Sequence, residues 1–372
     1  MNQGMSKPLW VGHAAVLLLF LVAFPVTDVA AQGSDVAEIG PLPAREAPDA
    51  KLAELGKYLF FDEKLSGDVS ISCATCHNPQ QGWGDGLPLS LAYPGSNYFR
   101  NAKTLLNAVY ARYFYWDGRL TGNDKPTMVR DSITETHFLN MDGRLMLERL
   151  KQVPDYVVMF NEAAGGEPSF GRTLNAIAAF LETVVSKNVP FDQGRLDEAQ
   201  TRGLAIFTGK AGCVRCHNGA YFSDGQAHAT GVRENPDVLA DPMRHFTMRS
   251  VFKFLGVAGF ELVKEDVGFF AVTKENQDRG KFLTPTLREL TRTAPYMHNG
   301  TVATLEEVVD FYDRGGGEAP NKDPLLAPLG LTGEEKKDLI AFLGSLSGDE
   351  VMVERPEIPE YQLVADWLAV KN

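Results

Sequence analysis

The chain has 372 residues, of which 44% are hydrophobic and 23% are charged, and it is long enough for roughly two globular domains. This composition excludes a disordered or fibrous protein. The 36 basic side chains are outnumbered by 48 acidic ones, which gives a net charge of −12 and argues against nucleic acid or an anionic lipid surface as a partner.

The first 31 residues have the pattern of a secretory signal peptide. Lys7 precedes an apolar run over residues 14–24, and small residues up to Ala31 offer a cleavage site. A membrane anchor is the alternative, but the run is shorter than the ~20 residues that span a bilayer, and Pro25 and Asp28 interrupt the stretch that follows. We therefore expect export to the periplasm, cleavage near Ala31 and no membrane span in the mature chain.

The first of two cysteine motifs follows a short amphipathic helix predicted around residues 55–60. Cys73 and Cys76 are three positions apart, and His77 comes directly after the second cysteine. Two thiols at this spacing can add to the two vinyl groups on one edge of a haem, and the next imidazole can then ligate the iron. A disulfide, a thiol-exchange site and a zinc site are alternatives, but none of them requires the histidine. The motif therefore predicts a covalently bound c-type haem.

Most of the remaining periodic stretches predict helices, and strand-like alternation is scarce. Apolar residues recur near i, i+3, i+4 and i+7 in four segments: 145–160, 173–185, 305–312 and 334–346. Glycine and proline clusters predict loops at residues 165–168, 235–236 and 315–320. The sequence therefore predicts a mainly helical protein.

The second cysteine motif repeats the first. Cys213, Cys216 and His217 have the same spacing, and they again follow a predicted helix, here around residues 202–207. After each motif histidine come an asparagine, an aromatic residue and an Asp-Gly pair. The chain therefore contains a duplicated unit, and each copy is expected to bind one haem.

The duplication predicts two cytochrome-c-like helical domains. Their boundary is expected near residues 190–200, because Pro190 ends a predicted helix. We expect an N-terminal domain over residues 32–195 and a C-terminal domain with a tail over residues 196–372. Each domain should carry one covalent haem, with the interface between the two haems.

Beyond the haem motifs, nearly the whole chain after the leader resembles the bacterial di-haem cytochrome c peroxidases and their relative MauG, the methylamine-utilisation protein. The resemblance rests on segments that come in the family's order and approximate spacing: Leu59-Phe60-Phe61-Asp62, Arg100-Asn101, Leu106-Asn107-Ala108, Tyr115-Trp116-Asp117-Gly118-Arg119, Thr284-Pro285-Thr286-Leu287-Arg288 and Ala294-Pro295-Tyr296-Met297-His298-Asn299-Gly300. It implies that His217 holds a six-coordinate electron-transfer haem and that His77 holds the haem that meets hydrogen peroxide.

The resemblance also points to a ligand for the second haem. The peroxidases carry a methionine about fourteen positions after the histidine of the Pro-Tyr-x-His segment, whereas this chain has Tyr312 there, as MauG has a tyrosine. A phenolate ligand favours oxidised iron, and methionine raises the reduction potential. We expect Tyr312 to ligate the iron. The alternative is a Tyr312 packed in the core, with Met297, Met248 or Met243 as the ligand.

On the first haem the resemblance predicts an open iron site. The peroxidases place a second histidine in the loop after the first motif, but residues 82–100 contain none, although His137 could still reach the iron. Cleaving a peroxide bond requires an acid–base group. The glutamate of the family corresponds to Glu135, with His137 as the second candidate, in a segment that lacks the family's proline. The alternative for Glu135 is a helix cap or a surface carboxylate.

The resemblance implies two further roles. Trp116 matches a tryptophan that lies between the haems in relatives and assists electron exchange, with core packing as the alternative. Relatives also hold a calcium ion between the domains through an asparagine side chain and two backbone carbonyls. The matching positions are Asn107, Thr293 and Pro295, and oxygen ligands suit Ca²⁺. We therefore expect Ca²⁺ as a further cofactor.

Three functions are compatible with these residues. The first is a peroxidase that reduces hydrogen peroxide with electrons from a small cytochrome c or cupredoxin. The second is a MauG-like oxidase that uses a high-valent di-haem state to modify tyrosine or tryptophan in a partner protein. Tyr312 favours it, but the surface tryptophan that MauG uses before its second motif has no counterpart near Ala211. The third is a non-catalytic electron-transfer cytochrome. We favour the peroxidase, and a homodimer is among the assemblies left open.

Overall fold

The computed structural model describes residues 38–362, so the predicted signal peptide at residues 1–31 lies outside the described residues. Between these limits the chain forms twelve α-helices and little sheet, which confirms the prediction of a mainly helical protein. Within the described residues, no helix combines the length and the apolar character that crossing a bilayer requires.

The α-helices are, in chain order, α1 Ala50–Phe61, α2 Cys73–Cys76, α3 Lys125–Thr134, α4 Gly143–Lys151, α5 Pro154–Ala164, α6 Phe170–Leu181, α7 Glu198–Thr208, α8 Asp237–Ala240, α9 Pro242–Phe254, α10 Phe270–Thr273, α11 Leu305–Asp313 and α12 Gly333–Gly344. Short 3-10 helices lie at Glu63–Leu65, Pro79–Gln81, Ala108–Tyr110, Cys213–Arg215, Phe260–Leu262, Asn276–Asp278 and Leu290–Arg292. Two antiparallel ribbons complete the described secondary structure: β1 Tyr113–Phe114 with β2 Leu120–Thr121, and β3 Ala227–His228 with β4 Phe282–Leu283.

The prediction of one of the helices is wrong. Residues 145–160 were expected to form a single helix, but the chain forms α4 and α5, which are separated just before Pro154. Proline lacks an N–H and is favoured at the first helical position, so α5 begins there. The helix predicted over residues 173–185 is α6, which ends earlier, at Leu181. The last two predicted helices correspond to α11 and α12.

The helices of the second half begin at recognisable sequence signals. Thr304 and Thr332 precede α11 and α12, and each side chain accepts a hydrogen bond from the backbone N–H of a glutamate three residues later. Those glutamates, Glu307 and Glu335, accept hydrogen bonds in return from the threonine N–H groups. Each pair satisfies donors that the first turn of a helix leaves without partners, so it fixes where the helix begins.

A glycine marks the helix crossing of each repeat. Helix α1 packs against α6, and α7 packs against α12. Gly56 in α1 lies against the backbone of Ala176, and Gly203 in α7 lies against the backbone of Asp338. A Cβ at either glycine would overlap the facing carbonyl oxygen. The two glycines occupy the same place in the two copies of the repeat, so both halves use the same close helix contact before the haem motif.

Three clusters of buried apolar side chains form the core. The first comes from residues 55–184 and surrounds the α1–α6 crossing. The third comes from residues 207–346 and surrounds the α7–α12 crossing. The second combines residues 89–99 with residues 238–271 and so joins a loop of the first half to the α8–α10 region.

The ends of the described chain each pack on the opposite half. Ile39 packs against the third cluster, and the carbonyl oxygen of Gly40 accepts a hydrogen bond from the buried Arg288. At the other end, the carbonyl oxygen of Val351 accepts a hydrogen bond of 2.8 Å from the indole N–H of Trp83. Each half therefore contributes a segment to the other, and the domain boundary inferred from the sequence stays a prediction.

Gly56→Ala and Gly203→Ala are expected to destabilise the protein, because the added methyl group meets backbone that cannot rotate away. Such overpacking costs roughly 1–3 kcal/mol. The matched control is Gly171→Ala in α6, where a Cβ meets open space and alanine is the better helix former by at most ~1 kcal/mol. Urea unfolding followed by circular dichroism measures the differences. Equal midpoints for Gly56→Ala and Gly171→Ala would contradict the close crossing.

Candidate functional site

The structure contains two neighbouring cavities, and each is bordered by one cysteine motif. We call the first the N-terminal cavity, since its wall includes Cys73, Cys76 and His77. The C-terminal cavity has the second motif in its wall: Cys213, Cys216 and His217. The motifs lie at different cavities, so the four cysteines do not form one zinc site.

Both motif histidines are oriented in the same way. The Nδ1 of His77 donates to the carbonyl oxygen of Trp83 at 3.1 Å, and the Nδ1 of His217 donates to that of Phe222 at 3.1 Å. Both aromatic residues are buried and have positive φ angles, 62° and 54°. A carbonyl bond at Nδ1 fixes the tautomer that leaves Nε2 free to bind a metal.

Burial keeps these groups in the neutral forms that suit haem attachment. It lowers the pKa of His77 and of His217, so both imidazoles are neutral and able to ligate. It also raises the pKa of the Cys73 thiol to about 12 and that of Cys76 to about 11. Thiol-exchange sites depend on a lowered thiol pKa, and the four cysteines form no disulfide in the described chain. The state of the cysteines therefore disfavours a thiol-exchange site and a disulfide as alternatives to a haem.

The cavity walls fit the haem that the motifs imply. Each cavity is largely apolar and offers the two adjacent thiols and the imidazole of its own motif. The C-terminal cavity also contains a buried polar atom without a protein partner, the Nε2 of His298. Burial lowers the pKa of His298 to about 4, and its ring stacks on Phe282 with the centroids 3.6 Å apart. A polar ligand that also fills an apolar space would satisfy such a site.

The predicted ligand Tyr312 lies at the C-terminal cavity together with His217. It projects from α11, and burial followed by the two nearby cysteines raises the pKa of its hydroxyl. Of the alternatives, Met297 lines the same cavity. Met248 is fully buried in the second core cluster and Met243 is exposed, and neither lines this cavity. Of the residues that the sequence suggested as iron ligands, Tyr312 and Met297 therefore lie at this cavity.

Trp116 and Lys103 each line both cavities. The indole N–H of Trp116 donates to the carbonyl oxygen of Asn101 at 2.9 Å, which fixes the ring in the shared wall. The Nζ of Lys103 lies 5.0 Å from the centroid of that ring. Burial lowers the pKa of Lys103 to about 8, so the ammonium form still predominates at neutral pH. The sequence had pointed to Trp116, and it gave no signal for Lys103.

Glu135 and His137 lie next to each other at the N-terminal cavity. His137 is in the cavity wall, stacked on Tyr98 with the centroids 5.4 Å apart, and Glu135 lies behind it. The Nε2 of His137 is 2.9 Å from the Oε2 of Glu135, although the angle does not suit a hydrogen bond. Arg119 reaches the same carboxylate at 3.5 Å. His137 therefore lies between Glu135 and the cavity.

A buried ion network supports this wall, and the sequence gave no role to its members. Arg100 donates to Asp117 at 2.6 Å and to both oxygens of Asp266 at 2.6 and 2.8 Å. Arg119 donates to Asp117 at 3.0 Å. Burial alone would raise the pKa of Asp117, but the two guanidinium groups lower it to about 2. The Trp-Asp-Gly-Arg segment thus supplies the charges that hold Trp116 in place.

The predicted calcium ligands are not brought together at one cavity. Thr293 and Pro295 line the C-terminal cavity, whereas Asn107 lines neither cavity. The buried side chain of Asn107 accepts a hydrogen bond from the N–H of Ser186 at 2.9 Å and donates to the Ser186 hydroxyl at 2.6 Å. The calcium site stays a prediction.

Comparison with known proteins identifies the family. The model for di-haem cytochrome c peroxidases matches residues 50–200. The chain is 48% identical to cytochrome-c peroxidase IdrP2 of Denitromonas iodatirespirans, over 92% of this chain and 93% of the relative. It is 36% identical to the methylamine utilization protein MauG of Methylorubrum extorquens, over 82% of this chain and 80% of the relative.

A solved structure shows the same fold. The crystal structure of a MauG-like protein associated with microbial copper homeostasis matches with a TM-score of 0.69 at 26% identity, covering 85% of this chain and 94% of that one. Together with the sequence relatives, this match shows that the chain belongs to the di-haem cytochrome c peroxidase family. The resemblance inferred from the motifs is confirmed.

Tyr312→Phe is expected to change the spectrum of the haem in the C-terminal cavity, because the variant removes the only oxygen of that side chain. Electron paramagnetic resonance of the oxidised protein measures the change, with the low-spin signal of one haem altered or lost and the other unchanged. Met297→Leu is the matched control and should leave both signals as they are. The reverse pattern would identify Met297 as the ligand.

Proposed function

We propose that this protein is a di-haem peroxidase that reduces hydrogen peroxide to water with electrons from a small periplasmic redox protein. One peroxide, two electrons and two protons give two waters. The observation that carries the proposal is the pair of cavities, each with one Cys-x-x-Cys-His motif, which share Trp116 in their common wall. A c-type haem in each cavity would supply the redox centres of the reaction.

The attachment of the two haems follows from the residues of each cavity. Cys73 and Cys76 would form the thioether bonds in the N-terminal cavity, and His77 would ligate the iron there through Nε2. The second motif would do the same in the C-terminal cavity, where Tyr312 is the further ligand. Since covalent haem attachment takes place outside the cytoplasm, the leader predicted at residues 1–31 suits this function.

The N-terminal cavity is the better place for peroxide. Its wall includes His137, and the Nε2 of that side chain lies 2.9 Å from the Oε2 of Glu135. Burial lowers the pKa of His137, so the imidazole is neutral at pH 7 and can accept a proton at one ring nitrogen. Glu135 is 2.9 Å away and would exchange that proton, and Arg119 holds the carboxylate in position.

Trp116 is the proposed path for electrons between the cavities. Its ring lies in the shared wall, and the residue is hydrogen-bonded to both halves of the chain. The carbonyl oxygen of Trp116 accepts a hydrogen bond from the N–H of Leu283, while its indole N–H donates to Asn101. An aromatic ring fixed in this way shortens the distance that an electron crosses between the two sites.

The second candidate is a MauG-like oxidation of a partner protein, and the presence of Tyr312 at the C-terminal cavity favours it. Such a reaction needs an aromatic residue that carries the oxidation to the surface. Phe207 and Phe222, on either side of the second motif, are fully buried, and Tyr221 lines the two cavities. These three aromatic residues are buried or half-buried, and the peroxidase reaction is the better supported one.

The test uses the exported full-length protein with both haems, a reduced mono-haem cytochrome c as donor and hydrogen peroxide as oxidant. We expect rapid oxidation of two donor molecules for each peroxide. His77→Ala should lose this turnover. His245→Gln, which removes a histidine outside both cavity walls, should keep it.

The same assay distinguishes the alternatives. Peroxide that leaves the donor reduced but crosslinks or hydroxylates a partner protein would support the MauG-like reaction. Two six-coordinate haems that do not react with peroxide would make the protein an electron carrier and overturn the proposal.

Glu135→Gln is expected to keep both haems but to slow the reaction with peroxide about 10²-fold or more, because the amide cannot take the proton from His137. Stopped-flow spectra of the oxidised protein mixed with peroxide measure the rate. Glu148→Gln is the control, since Glu148 is an exposed carboxylate on α4. An unchanged rate for Glu135→Gln would remove Glu135 from the acid–base role and leave His137 alone.

A further inference from the structure

Lys103 is a cation that forms no ion pair within the described residues. It lines both cavities, and its Nζ lies 5.0 Å from the ring centroid of Trp116. The acidic group that acts on it is Asp117. However, Asp117 is already paired with Arg100 at 2.6 Å and with Arg119 at 3.0 Å. The aromatic face of Trp116, 5.0 Å from the Nζ, is therefore a favourable contact for this charge.

Two arginines that each line only one cavity can be compared with Lys103. Arg112 lines the N-terminal cavity alone, where it lies over Tyr113 at 5.5 Å. Arg288 lines the C-terminal cavity alone and is paired with Asp192 at 2.9 Å. Lys103 is thus distinguished by its position in the wall between the cavities, where one charge acts on both.

A charge in a poorly solvated wall needs a counter-charge, and a haem carries carboxylate groups. We propose that Lys103 is an electrostatic element shared by the two haem sites, which pairs with a haem carboxylate at the common wall and stabilises the reduced state of both haems. This inference rests on the proposed function, because it requires a haem in each cavity. It assigns Lys103 an electrostatic role at the haem sites.

The physical reason is the sign of the charge. A reduced iron carries one positive charge less than an oxidised iron, so a nearby ammonium group repels the reduced state less. A positive charge beside Trp116 also makes it harder to remove an electron from that ring. Lys103 therefore favours electrons on both haems and disfavours lasting oxidation of Trp116.

The experiment measures the reduction potentials of both haems by spectroelectrochemical titration of the purified holoprotein. Lys103→Met, which keeps the length of the side chain but removes the charge, should lower both potentials. Lys103→Arg should restore them toward those of the wild type. Arg112→Met is the matched control and should lower only the potential of the haem in the N-terminal cavity.

Intact-mass spectrometry, which counts the bound haems, distinguishes failure of the role proposed for Lys103 from failure of the proposed function. If Lys103→Met carries two haems and both potentials are unmoved, or if only one of them shifts, the shared role of Lys103 is overturned. Should Lys103→Met lose a haem, Lys103→Gln is measured in its place against the same criterion. A wild-type protein without two haems would instead overturn the proposed function and, with it, the basis of this inference.

Discussion

The guanidinium group of Arg100 joins the two halves of the chain at the point where the cavities meet. It binds Asp117 from the loop that carries Trp116, and Asp266 from the second half, and all three side chains are at most 3% exposed. Buried charges are tolerated when they are paired, and a lone one costs several kcal/mol. The halves therefore cannot move apart without exposing this network, and Trp116 stays fixed between the two cavities.

The two cavities arise from one repeated unit and differ in what surrounds it. In both copies a helix crosses its partner at a glycine, the cysteine motif follows, and a buried aromatic residue presents its carbonyl oxygen to the motif histidine. The opposite walls have diverged. The N-terminal cavity has His137 with Glu135 behind it, whereas the C-terminal cavity has Tyr312 and Met297. This asymmetry suits the proposed division, in which one site reacts with peroxide and the other transfers electrons.

The exchange of chain ends between the halves strengthens the same arrangement. The segment near Gly40 reaches Arg288 of the second half, and the tail at Val351 reaches Trp83, whose own carbonyl oxygen orients His77. The position of the first haem ligand thus depends on residues at the far end of the sequence. A boundary at the middle of the chain separates the two copies of the repeat. It does not separate two independent cores, because each half packs against a segment from the other.

The sequence alone determined the family, the helical class and the two haem motifs, because these depend on local spacing: a histidine next to a cysteine pair, or apolar residues one helical turn apart. It also pointed to Trp116 and Tyr312. Only the tertiary structure decided that α4 and α5 are separate, that Glu135 lies behind His137, and that Lys103 lines both cavities. These features depend on contacts between residues distant in sequence, and such contacts have no periodic or local pattern from which they could be inferred.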